Sequence, residues 1–191
     1  LHGTIPVADL HADTLLWKRN PAKRQSRGHT DLVRLREGGV ALQVFTAVTK
    51  VPPDMNLDEN ASDKDSLTLL MVAQAWPPRT WGSIYERAAY QAERLQKLER
   101  NAPNEFVFAR SAGDVQRALD EGKLAGVYGI EGAHPLEGDL DNIARLYDKG
   151  LRVMGLQHFF DNELGGSLHG QSGAGLTPFG KQAVDAAVRQ G

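Results

Sequence analysis

The feature that most constrains this chain is an alternation of two kinds of segment. Ile5 to Leu10, Val40 to Val48 (VALQVFTAV), Leu124 to Ile130 and Arg152 to Gln157 are apolar runs that read as strands. Glu105 to Ala109 is a shorter one. Helical patterns lie between them. Asp31 to Glu37 is closed by Gly38 and Gly39, and Ser66 to Ala75 follows the second strand. Ser83 with Glu86 three residues on opens a longer helix, on which Ile84, Ala88, Ala92, Leu95 and Leu98 share a face. Ser111 with Asp114 opens another, and Leu140 to Lys149 ends at Gly150. Thr177 caps a last helix that runs to Gln190, with Pro178 at its first position. Lys50 to Asp65, with Pro52, Pro53 and Asn56, reads as an inserted loop. Strands joined through helices form parallel βα units, as in a closed barrel or an open doubly wound sheet. No repeat of fixed period accompanies them.

Composition then narrows the chemistry. The absence of cysteine excludes disulfides, thiolate metal sites and a cysteine nucleophile. Lysine and arginine number 22 against 24 acidic residues, a net charge of −2, so nucleic-acid binding by bulk charge is not expected. No glycine-rich phosphate loop follows a strand, which leaves nucleotide binding without support. There is no apolar run of about 18 residues to span a membrane, and Leu1 to Leu10 does not read as a secretory leader.

In parallel α/β folds, reactive groups gather where strands end. The first strand runs into Asp9-Leu10-His11-Ala12-Asp13, whose alternation puts Asp9, His11 and Asp13 on one face. Imidazole and carboxylate are suitable donors for zinc or a similar ion. Leu124 to Ile130 runs straight into Glu131-Gly132-Ala133-His134. A carboxylate placed there must be paired, metal-bound or protonated. His134 reads either as a supporting group or as an ordinary loop histidine. The next strand leads to His158-Phe159-Phe160-Asp161-Asn162. His158 is a candidate ligand, acid–base group or oxyanion donor, and the two rings would wall a site or cap the core. His169 lies in a glycine-rich loop that is either a cover or a plain connection, and His2 and His29 carry no pattern. Metal-type donors at three strand ends point to a metal-assisted hydrolase.

The stretches DLHADT (9–14), TDLVRLREGGVALQVF (30–45), GIEGAH (129–134), GLRVMGLQHFFDN (150–162) and GLTPFG (175–180) together resemble the membrane dipeptidase (renal dipeptidase) family of zinc peptidases, in the amidohydrolase superfamily. The resemblance implies an α/β fold, a TIM-type (β/α)8 barrel, in which two zinc ions share a hydroxide that attacks the peptide bond of a dipeptide. It implies that His11 and Asp13 bind one zinc, that Glu131 bridges both metals, and that His158 contacts the substrate. The strand near Val107 would lie outside the barrel count.

A whole barrel of this kind typically needs about 250 residues. The 191 residues are therefore expected to form the N-terminal half of one barrel domain, about four βα units, with an insertion at 50–65. The second zinc's histidines and the arginine for the substrate carboxylate would lie past residue 191, as would any anchor beyond the ends. The isolated chain is accordingly expected to show little dipeptidase activity and to self-associate through its open barrel edges. Two other readings share the motifs: a deacylase of N-acyl amino acids, and a half-barrel that binds metal without catalysis.

Overall fold

The computed structural model describes residues 4–191; His2 lies outside the described residues. Five strands form one sheet: β1 (Val7–Ala12), β2 (Val40–Ala47), β3 (Phe106–Ala109), β4 (Leu124–Ile130) and β5 (Leu151–Met154). Their order is β1-β2-β4-β3, with β5 also paired to β4. The β1–β2 and β3–β4 pairs are parallel, as the alternation predicts. The helices are α1 (Leu32–Glu37), α2 (Leu67–Ala73), α3 (Arg79–Gly82), α4 (Ile84–Asn101), α5 (Ala112–Asp120), α6 (Asp141–Asp148) and α7 (Pro178–Gln190).

The caps read from sequence are made. Ser83, Ser111 and Thr177 accept the backbone N–H of Glu86, Asp114 and Gly180 through their side chains, and Asp31, not read as a cap, does the same for Arg34. The apolar stripe of α4 is buried at Ala88, Ala92, Leu95 and Leu98.

Two strands differ from the expected bounds by more than one residue. β1 runs two residues later, because its register is set by β2 and not by its own composition. Asp9 pairs with Gln43 and Ala12 with Phe45, so three steps on β1 match two on β2. That bulge interrupts the simple alternation over Asp9, His11 and Asp13. β5 stops at Met154, short of Gln157. Gly155 still donates to Ile130, but the Leu156 carbonyl is taken by the Ala133 N–H and the Asn162 side chain, which turns the chain out of the sheet.

The chain divides into two compact units. One comprises the chain through Ala47, Gln91–Gly129 and Gly150–Val153, and so holds almost the whole sheet. In it Phe45 meets Phe106 edge-on at 6.0 Å between centroids. Val107, Ala109 and Ala125 pack with Ala118 of α5. Arg94 of α4 donates to the carbonyls of Leu15, Trp17 and Arg19, tying down the chain that follows β1.

The other unit comprises Val48–Tyr90, Ile130–Lys149 and Met154–Gly191. Its core joins Ala133 and Leu136 to Ile143 of α6 and Ala183 of α7. A second anchor is Arg87 of α4, only 3% exposed. Its guanidinium donates to the carbonyls of Thr80, Thr49 and Trp81, to Asp65 Oδ2 at 2.6 Å, and to Thr68 Oγ1. Burial raises the Asp65 pKa, but the Arg87 bond and the N–H groups of Leu67 and Val51 outweigh it and hold it low. The insertion is thus closed at its base by an ion pair between a buried arginine and a partly buried aspartate.

Candidate functional site

The first group of functional side chains belongs to the sheet unit. His11 sits near the end of β1, and Asp13 lies one residue past it. His11 Nε2 and Asp13 Oδ1 are 3.3 Å apart. Asp13 Oδ1 also accepts the Thr46 hydroxyl at 2.6 Å, from the C-terminal end of β2. Two atoms bound to one tetrahedral zinc at about 2.0–2.1 Å would stand about 3.3 Å apart. The pair therefore fits a shared metal in both donor chemistry and spacing, and Thr46 fixes the carboxylate's direction. Asp9 does not join them. Its carboxylate accepts the His11 backbone N–H, and the bulge separates it from the face it would share by alternation.

The second group belongs to the other unit. Glu131 follows β4 directly. Its Oε1 lies 2.9 Å from His158 Nε2, and both side chains are mostly buried. The Ala133 N–H to Leu156 and Gly155 N–H to Ile130 bonds hold the two segments that carry them side by side. Gly132 takes a φ of +82°, and a Cβ there would stand 2.4 Å from the His134 ring and 3.3 Å from His158 Cβ. Only glycine satisfies both the backbone and the space.

His134 is a core residue and not an ordinary loop histidine. It stacks on Phe160 at 4.4 Å between centroids and is 5% exposed. Burial, then the charges of Lys50 and His158, push its pKa down to about 4, so the ring stays neutral near pH 7. The two phenylalanines divide the roles proposed for them. Phe160 is fully buried against His134, whereas Phe159 meets the ring of His158 edge-on at 4.7 Å.

His169 stacks on the other neighbour of this row, Phe159, at 4.9 Å. The glycine-rich loop around it is ordered by Asp161, whose carboxylate accepts the N–H groups of Ser167, Gln171 and Ser172. Burial raises the Asp161 pKa, but those N–H groups outweigh it and lower it. A Cβ on Gly170 would overlap Asp161 Oδ1 at 1.9 Å, so the loop closes on that carboxylate only with glycine present. His29 joins neither group.

Thr46 and Asp161 escape the sequence reading. Thr46 is a hydroxyl near the end of a largely apolar strand run, which is the signal that marks it. Asp161 is adjacent to a conspicuous Phe-Phe pair but has partners up to eleven residues away, which spacing does not reveal.

The family described as membrane dipeptidase, peptidase family M19, matches residues 1–191. An uncharacterized dipeptidase of Schizosaccharomyces pombe is 25% identical over 195 residues, covering 94% of this chain and 43% of the relative. A metallopeptidase of Rhodobacter sphaeroides, solved with a phosphinate mimic of the dipeptide L-Ala-D-Ala, is 28% identical with a TM-score of 0.73; the match covers 97% of this chain and 56% of that one. The structure of a metallopeptidase of family M19 named dipeptidase AC is also 28% identical, with a TM-score of 0.70, over 98% of this chain and 54% of that one. The chain spans about half the length of these relatives, so its α/β fold is a partial TIM-type barrel. It belongs to the membrane dipeptidase family, peptidase family M19.

Proposed function

We propose that this chain supplies the first-metal and substrate-facing part of a zinc-dependent dipeptidase centre. His11 and Asp13 are the ligand pair of one zinc ion, Glu131 is the carboxylate shared between metals, and His158 is the group presented to the substrate. The observation that carries this reading is the His11–Asp13 spacing of 3.3 Å with Asp13 oriented by Thr46. Family membership and the position of Glu131 directly after a strand of the same sheet support it.

When bound, zinc would polarise the scissile carbonyl and make water a competent nucleophile near neutral pH. The chain's own groups do the rest. Thr46 holds the Asp13 carboxylate with its Oδ1 toward His11. Glu131 and His158 sit within hydrogen-bond reach, so the imidazole Nε2 is kept beside the carboxylate until substrate or metal competes for either. An N–H from His158 can then stabilise negative charge developing on the carbonyl oxygen. The substrate class is the dipeptide.

Metal titration tests this. The purified chain should bind zinc or cobalt, and Asp13→Asn or Glu131→Gln should weaken binding by about 10-fold or more. The zinc-loaded chain should also bind a phosphinate mimic of L-Ala-D-Ala, and His158→Ala should weaken that complex by more than it changes metal affinity. Unaltered zinc affinity in both ligand variants would refute the assignment.

A further inference from the structure

We propose that His169 is a positioning residue for His158, and that the insertion at 50–65 is what holds His169 in place. The proposal rests on the reading of His158 as the substrate-facing group.

Two paths run from His169 to His158. The first is through the ring. His169 lies nearly parallel to Phe159, at 16° and 4.9 Å, and Phe159 meets His158 edge-on at 71° and 4.7 Å. The second is through the backbone. The His169 N–H donates to Ser167 Oγ at 3.2 Å, and that hydroxyl donates to the carbonyl of His158. Together they restrain the side chain and the main chain of one residue.

His169 is itself fixed from the insertion. Its carbonyl accepts the Asn60 N–H at 2.8 Å and the Asn60 side-chain amide at 3.2 Å. Its Nδ1 lies 2.7 Å from the Leu57 carbonyl. A carbonyl only accepts, so Nδ1 carries the proton there. Asn60 is 4% exposed and is locked in turn by reciprocal bonds with Asn56. Gln171 adds a bond to Glu59. An edge-on aromatic contact orients a ring only if its own partner is fixed. Here the insertion supplies that fixity, which gives a segment with no helix or strand of its own a role in aiming His158.

Histidine-selective NMR on the metal-free chain tests the proposal without any catalytic assay. In the parent, the His158 ring resonances should be displaced from random-coil positions by the Phe159 ring. His169→Ala should return them most of the way, while the buried His134 resonance stays put. His169→Phe keeps the stacked ring and should retain most of the displacement. Asn60→Ala should act in the same direction as His169→Ala, and it serves if that variant does not fold. A folded His169→Ala chain with His158 unmoved overturns the proposal. So does a His169→Phe chain that shifts as far as the alanine variant. In the zinc-loaded chain, His169→Ala should weaken the phosphinate dipeptide mimic by about 10-fold and His169→Phe by much less. If the resonances behave as expected but the parent binds no dipeptide mimic, the dipeptidase reading fails and the positioning role stands.

Discussion

At the residue scale, the groups that aim the functional side chains matter as much as those side chains. Thr46 holds Asp13 at 2.6 Å. Thr46→Val should therefore lower zinc affinity about 10-fold with the fold intact, measured by competition with a chromophoric chelator. His134 makes a different prediction. Its pKa falls from 6.5 in the unfolded chain to about 4 in the folded one. Between those values the unfolded chain binds more protons, so stability is lost as pH drops from above 6.5 through 4. The loss amounts to about 3 kcal/mol for a shift of this size. Urea unfolding of the metal-free chain at pH 7 and pH 4 should show it, and His134→Phe should remove most of that difference.

At the element scale, local signals were readable and pairing was not. The caps at Ser83, Ser111 and Thr177 depend on neighbours within three residues, so a linear reading finds them. The β1 bulge depends on which residue of β2 stands opposite, information the β1 sequence does not hold. Simple alternation therefore groups Asp9 with His11 and Asp13, whereas the paired strands bring together only His11 and Asp13. Likewise Asp161 and Asn60 bond to segments far along the chain and resemble any loop residue in isolation. The insertion looked like a plain loop for the same reason. Its closure by Arg87 gives a sharp expectation. Arg87→Ala removes the buried guanidinium from the partly buried Asp65 carboxylate and should cost about 2–3 kcal/mol. Amide exchange should rise across Val51 to Leu67 before it rises in the sheet.

At the scale of the whole molecule, the alternation of strands and helices points to a parallel α/β fold, and the motif order points to the family that the match over residues 1–191 shows. Length was the informative mismatch, since the chain spans 43% to 56% of its relatives. A metal that binds only the folded chain should still raise its stability. At a free zinc level of about 100 times Kd the gain is about 2.7 kcal/mol, or roughly 5–10 °C in Tm for a chain of this size. Differential scanning calorimetry with zinc and then with chelator should reveal that shift. Asp13→Asn, weakening zinc about 10-fold or more, should remove about half of it or more.

The division of the chain into two units carries a consequence for how such a protein changes over time. The three departures from the sheet unit fall after Ala47, Gly129 and Val153, each at or within one residue of a strand's end. Lengthening or trading the excursion that begins there alters strand pairing at most at the strand's last residue, as at Ile130 and Met154. Selection can therefore remodel what surrounds Glu131 and His158 piece by piece, while the sheet is inherited almost unaltered.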